Sequence, residues 1–410
     1  MTKQSSIVFD LSRFVRNVMT KLPPLNKETV YLDPFSLFQE LPAILKKREE
    51  EQIKRTGTGF ESGWQIPSFD FYYTRKNGKS RLIGNPNVTM RELHKLFVKF
   101  LREHMKVFAS LDTHDFVRNY FARLHLLPSS SAFVSGRDVL NYNVIKHQRN
   151  DYFYILDIRR AYDELNTDLL ALMLTALLLY EEYLTGVTEF FHQLKFGIKN
   201  ELLLDEIFAH PLLPRMKRFI DRFCRASSGR GIITGAVASP YLFNLYCEMA
   251  LDNGLRYLFQ TAKHDQKEVF TYSRFADDGV ISSNRPVWSH LRKEIRSYFA
   301  CAGFAVNHRK SRVLYRRQGT VSITGFGLSD DSNQQPIVTF PQCKRRKLQG
   351  MLRKYILFGK GNVEVIKGYI AEFKYYLFRG GNSSLTKSDG KMIALYNQFE
   401  HSVFKRTNTS

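Results

Sequence analysis

Two adjacent carboxylates place the tightest constraint on this chain. Asp277 and Asp278 stand in Arg274-Phe275-Ala276-Asp277-Asp278-Gly279, with Phe270 and Tyr272 before them and Val280 and Ile281 after. Aromatic and β-branched runs on either side of a Gly-flanked acidic pair read as a β-hairpin with its acids at the turn. Successive strand side chains point to opposite faces, so one aspartate engages fully at a site on either face and the other only partly. A further carboxylate has to come from elsewhere. Tyr152-Phe153-Tyr154-Ile155-Leu156-Asp157 supplies it, an apolar run that reads as a buried strand and ends in one acid. Two strand ends that deliver acids to one point make a site for two hard divalent cations. Taken alone, Asp277-Asp278 reads equally as an ordinary solvated turn.

Charge narrows the class of partner. Against 39 Asp and Glu stand 61 Lys and Arg, a formal net charge of +22. That surplus exceeds what solubility requires and implies a polyanion. Aromatic residues make up 14% of the chain and offer surfaces on which bases stack. Cys224, Cys247, Cys301 and Cys343 have no metal-ligand spacing and read as reduced thiols of a cytoplasmic protein. The apolar stretch 169–179 is too short to cross a bilayer and reads as a buried helix capped by Thr167 or Asp168. No signal peptide is read at the start, where Asp10, Arg13 and Arg16 interrupt the apolar pattern around Phe9, Phe14 and Val15.

Along the chain, residues 46–55 read as a solvated helix broken by Thr56-Gly57-Thr58-Gly59. Phe69-Asp70-Phe71-Tyr72-Tyr73 and Ser80-Arg81-Leu82-Ile83 read as strands joined at Asn77-Gly78, a hairpin that carries Arg75, Lys76, Lys79 and Arg81. An amphipathic helix follows over 90–101. Asn143 and His147 read as structural caps or, with Val144 in place of an alanine, as an element similar to the Asn-Ala-x-x-His that precedes the first catalytic strand in retron-type enzymes. Helices are predicted over 291–300 and 363–378, and another opens at Lys344-Arg345-Arg346-Lys347 with Leu348, Leu352, Tyr355 and Ile356 at helical spacing.

Three segments carry a resemblance to reverse transcriptases. They are residues 156–163, the loop Gly231-Ile232-Ile233-Thr234-Gly235 running into Ser239-Pro240-Tyr241-Leu242-Phe243-Asn244, and Phe275-Ala276-Asp277-Asp278. In order, they are similar to that family's palm motifs. The resemblance extends to Gly303-Phe304-Ala305-Val306-Asn307-His308-Arg309-Lys310-Ser311 and to 322–328, which is similar to a primer-gripping hairpin. It covers roughly 65–380. Thr234 departs from the pattern, standing where the family usually carries glutamine before the glycine.

The resemblance implies an α+β right-hand polymerase with fingers, a palm of antiparallel sheet backed by helices, and a helical thumb. The spans are an N-terminal helical extension at 1–62, fingers at 63–150, palm at 151–330 carrying part of the fingers, and thumb and C-terminal tail at 331–410. Asp157, Asp277 and Asp278, with the Ile158 carbonyl as an extra oxygen donor, would hold two Mg2+ ions, for which Mn2+ can substitute. Lys310 would protonate pyrophosphate, although a surface or phosphate-neutralising lysine fits equally. Arg81, and secondarily Lys79 and Arg75, would contact the triphosphate, the alternative being a plain basic surface hairpin. Tyr162 would exclude a ribose 2′-hydroxyl, or else be a core tyrosine. Thr234 and Gly235 would approach the nascent base pair.

Lys344, Arg345, Arg346 and Lys347 would grip nucleic acid from the thumb. The function implied is RNA-directed DNA synthesis from dNTPs, giving a cDNA on a dedicated structured noncoding RNA. Among bacterial groups the pattern is most similar to retron or other defence-associated enzymes. A second defence protein would be the partner, in the cytoplasm and with no membrane. Alternatives are a group II intron-like enzyme, an untemplated or protein-primed polymerase, and a non-catalytic RNA-binding protein with a polymerase fold. The segment after Phe378 reads as a short tail with no maturase or nuclease module.

Overall fold

The computed structural model describes residues 22–25, 27, 29–59, 65–76, 79–104, 132, 139–179, 207–252, 254–256, 258–259, 269–331, 333–379 and 386–407. They fall into two compact units that interleave along the chain. One is drawn from 1–128, 158–258 and 293–306, the other from 129–157, 259–292 and 307–410. The early apolar pattern around Phe9, Phe14 and Val15 lies outside the described residues.

The first unit is mainly helical. Its α1 (Leu37–Thr56) ends at Gly57, whose φ of +73° and N–H bond to the Ile53 carbonyl close the helix where the glycine-rich break is read. A two-stranded ribbon follows, β1 (Phe69–Lys76) and β2 (Lys79–Pro86). Lys76 faces Lys79 across it, leaving a two-residue connection at 77–78 that lies outside the described residues. Asn87 caps α2 (Val88–His104), its Oδ1 accepting the Met90 N–H at 2.8 Å.

The uniformly apolar helix is α3 (Thr167–Leu179), nearly all of which is buried. Its cap is Asn166, not Thr167 or Asp168. The Asn166 Oδ1 accepts the N–H groups of Asp168 and Leu169, both at 3.0 Å, because the first turn begins earlier than the apolar pattern suggests and already includes Thr167. α4 (Leu212–Phe223) and α5 (Ser239–Cys247) follow in the same unit. Phe35, Phe38, Phe97, Phe219 and Phe223 pack together at its centre, with the Phe97 and Phe219 rings 4.5 Å apart. Beside them Arg215 and Asp33 form a buried ion pair.

The second unit carries the acidic hairpin. Its four-stranded sheet, entirely antiparallel, has the order β4 (Phe270–Phe275), β5 (Asp278–Ser283), β3 (Tyr152–Asp157), β6 (Arg312–Tyr315). A smaller sheet joins β7 (Val321–Ile323), β8 (Phe326–Asp330) and β9 (Pro336–Thr339). α6 (Ser289–Cys301) follows β5 in sequence, and from residue 293 on it belongs to the first unit.

Three helices end the described chain: α7 (Gln342–Phe358), α8 (Val363–Arg379) and α9 (Lys387–Thr407). One core runs through this unit, with Phe153 and Val280 of the larger sheet, Ile323 and Leu328 of the smaller, and Leu352, Phe373 and Phe399 of the helices. α9 corrects the expectation of a short tail after Phe378. Its signal is a capping box at Thr386 and Asp389, in which the Thr386 Oγ1 accepts the Asp389 N–H and an Asp389 oxygen accepts the Thr386 N–H, both at 3.1 Å.

Candidate active site

Asp157 ends β3 directly opposite Asp278, the first residue of β5. Phe275 and Asp278 close the hairpin, so Ala276 and Asp277 form a two-residue turn. One carboxylate oxygen from each of Asp157, Asp277 and Asp278 lies within 4.8 Å of the others, the sole such cluster among the described residues. Alternation does not divide the two hairpin acids as the sequence pattern suggests, because Asp277 stands in the turn and escapes strand alternation. Asp157 is buried, Asp277 half-buried and Asp278 exposed. A donor set made only of carboxylate oxygen fits a hard divalent cation.

The turn is held from behind. Ala276 has a φ of +51°, a left-handed conformation costly for a residue with a Cβ. Arg274, only 1% exposed, donates from Nη1 to the Ala276 carbonyl at 2.9 Å. On the other face of the hairpin, His147 bridges its two strands, with Nε2 2.7 Å from the Ser273 Oγ and Nδ1 2.6 Å from the Ser282 Oγ. Asn150 also donates to the Ser282 Oγ at 2.7 Å. Burial, reinforced by Lys146, holds the His147 pKa well below its ordinary value, so the ring is neutral and serves one strand as donor and the other as acceptor. His147 therefore braces strands, which replaces the capping role read from sequence.

Both Asp157 oxygens are engaged. The Asn307 Nδ2 donates to Oδ2 at 2.9 Å, and the Lys310 ammonium is paired with Oδ1. The hydrogen bond to Asp157, with the surrounding acids, raises the Lys310 pKa against the cost of its partial burial. Asp278 is exposed as a residue but lines a cleft, where desolvation, then the charges of Asp277 and Asp157, push its carboxyl up to about 6, with Lys310 opposing them. Asp157, Asp278 and Lys310 open onto this cleft of about 510 Å³, whose lining includes Ile155, Phe275, Arg309, Arg312 and Thr324. Thr324 and Gly325 turn β7 into β8 with φ of +47° and +84°.

In the first unit, Tyr162 is half-buried and its ring stacks on Phe243, with centroids 4.9 Å apart. Its carbonyl accepts the Ile232 N–H at 2.9 Å. Gly231, φ +67°, makes that approach possible, since a Cβ there would collide with the Tyr162 carbonyl. The Thr234 carbonyl accepts the Gly84 N–H at 2.9 Å, and a Cβ on Gly235 would lie 2.8 Å from the Gly84 carbonyl. The ribbon is thus docked on the glycine loop through backbone. Arg81 and Arg75 are exposed on that ribbon, whereas the Lys79 side chain lies outside the described residues. Ile158 is buried and bridges Val306.

The basic run at the start of α7 does not share one face. Arg345 is 5% exposed and pairs with Asp389 at 2.7 Å, its guanidinium lying over the rings of Phe340 and Phe373. This corrects its expected place on the nucleic-acid surface, since a helical step of 100° turns it into the core. Lys344 is paired with Glu372 and lies over the Phe326 ring. Arg346 and Lys347 are exposed, and Lys347 donates to the Tyr369 hydroxyl at 2.6 Å. Sequence reasoning missed the roles of Arg274, Asn307 and Phe243. Only Asn307 has a local signal, three residues before Lys310.

Among the described residues no helix is long and apolar enough to cross a membrane. Comparison with solved structures finds an apo telomerase from Candida tropicalis at 14% identity and a TM-score of 0.40, covering 82% of this chain and 63% of that one. A telomerase from Candida albicans, solved with a fragment of telomeric RNA, is 12% identical with a TM-score of 0.35, over 87% of this chain and 64% of that one. The chain thus spans a little under two thirds of the length of these telomerases. Comparison with curated proteins gives no match. The family model described as reverse transcriptase (RNA-dependent DNA polymerase) matches residues 73–328, more than half of the chain and all three acids. With the α+β architecture and the carboxylate cluster of its palm sheet, the chain belongs to the reverse transcriptase family.

Proposed function

We propose that this protein is an RNA-directed DNA polymerase that makes cDNA from dNTPs on a dedicated, structured noncoding RNA, in bacterial defence against phage. The observation that carries the polymerase reading is the convergence of Asp157, Asp277 and Asp278 at one end of the palm sheet. In this reading the three acids would hold two Mg2+ ions, for which Mn2+ could substitute, and the Ile158 carbonyl would be an added donor. Such ions would lower the pKa of a primer 3′-hydroxyl and neutralise charge on the triphosphate.

The chain's own residues do the rest. Lys310, already beside Asp157, donates a proton to the departing pyrophosphate. Tyr162, braced on Phe243, occupies the space a 2′-hydroxyl would need, while Thr234 and Gly235 bring backbone near the new base pair. Arg81 and Lys79 meet the triphosphate. Arg346 and Lys347 contact the duplex backbone through charge and shape.

The defence subtype rests on the sequence resemblance, and the net charge of +22 supports a nucleic-acid partner. It is tested by sequencing the nucleic acid that copurifies with the protein through a wash of several hundred millimolar salt. One discrete RNA supports it, because shape-specific and stacking contacts survive salt that strips simple phosphate contacts. A heterogeneous smear lost at modest salt favours a general-purpose polymerase. The sugar-gate assignment predicts that Tyr162→Ala incorporates ribonucleotides more readily relative to deoxyribonucleotides, and an unchanged ratio returns Tyr162 to the core.

A further inference from the structure

We propose that Asn307 is the positioning residue that sets the Asp157 carboxylate for metal capture. This inference rests on the reading of Asp157, Asp277 and Asp278 as metal ligands. Asn307 grips Asp157 at two points, its backbone N–H donating to the Asp157 carbonyl at 2.8 Å and its Nδ2 to Oδ2 at 2.9 Å. The same residue builds the turn that delivers the lysine, since its carbonyl accepts the N–H groups of Lys310 at 3.0 Å and of Ser311 at 2.9 Å. One side chain therefore orients the acid while its backbone places Lys310.

The chemistry of the amide matters. Asp157 stands opposite Asp278 and near Asp277, so its carboxylate, left to rotate, turns away from two like charges. Lys310 already holds Oδ1, but with a positive charge that opposes the capture of a metal. The Asn307 amide donates without adding charge, fixes the side-chain rotamer, and leaves the carboxylate's remaining lone pairs for a cation. Partners of this kind orient metal ligands and change affinity when removed.

The test uses the full chain without nucleotide or nucleic acid and Mn2+ as the probe, with free Mn2+ followed by electron paramagnetic resonance. Asn307→Ala is expected to weaken Mn2+ binding about tenfold or more, with an unchanged urea midpoint, because the backbone bond to Asp157 survives. If Ala lowers the midpoint, Asn307→Ser keeps a turn-forming side chain too short to reach Oδ2 and is expected to give the same loss of affinity. Mn2+ binding within twofold of wild type in the folded variant overturns the role of Asn307, provided Asp277→Asn is impaired. Undiminished Mn2+ binding in Asp277→Asn overturns the metal site itself and the inference with it.

Discussion

Two like-charged runs in this protein meet opposite fates. The acidic pair Asp277-Asp278 and the distant Asp157 converge within 4.8 Å, whereas the four consecutive cations Lys344-Arg345-Arg346-Lys347 scatter into a surface pair, a buried core and solvent. The difference is geometric. Antiparallel register places Asp157 opposite Asp278, and a tight turn throws Asp277 to the same end, so strand pairing concentrates charge. A helix rotates each successive residue by about 100°, so contiguous charge is dispersed around its axis. A charge run on a strand end therefore marks a site, and a charge run on a helix marks only its exposed members.

The largest effect that can break the contrast is catalytic. Asp157→Asn or Asp277→Asn removes a charge at nearly constant volume and should lower DNA synthesis on an RNA template by on the order of a thousandfold or more, since several kcal/mol of charge stabilisation are lost. Primer extension measures it, with circular dichroism to show the fold retained. Ordinary activity in a folded variant would remove the acids from the mechanism.

Next in size is Arg345→Ala. Breaking a buried ion pair leaves Asp389 uncompensated and costs roughly 3–5 kcal/mol of stability. Urea denaturation should show that loss, and a change under about 1 kcal/mol would mean the pair is not buried in solution.

Acid should destabilise the first unit in a defined window. Burial lowers the His94 pKa from 6.5 to about 4, against a hydrogen bond with the Phe223 carbonyl. Between those values the unfolded chain takes up the proton first, so stability falls as pH drops below 6.5, with the loss complete near 4 and worth roughly 3 kcal/mol. His94→Gln should flatten that slope in denaturation curves run at several pH values.

The smallest effect belongs to Arg346, exposed one step along from the buried Arg345. Arg346→Ala should leave stability within about 0.5 kcal/mol yet reduce the salt slope of RNA binding by about one. If Arg345→Ala and Arg346→Ala behaved alike in both measurements, the helical contrast would fail.

These contrasts explain what could be read in advance. The hairpin, β3 and the three acids were legible because strand period and turn chemistry are local properties. So were α2, α3, α6, α7 and α8, from apolar spacing, whereas α4 and α9 were not. The burial of Arg345 was not, because it depends on Asp389 44 residues away in a helix that the sequence reading took for a tail. Arg274 and His147 likewise look unremarkable until tertiary packing places one behind the Ala276 turn and the other across Ser273 and Ser282. Their partners are set by the fold, and no local pattern announces them.

The most direct measurement is anomalous X-ray scattering from crystals grown with Mn2+. Manganese density bonded to oxygens of Asp157, Asp277 and Asp278, and absent from crystals of Asp277→Asn, is the expected result. Its absence between the three carboxylates at saturating Mn2+, or an undiminished peak in the Asp277→Asn crystals, would contradict the assignment of this corner of the palm sheet as the metal centre.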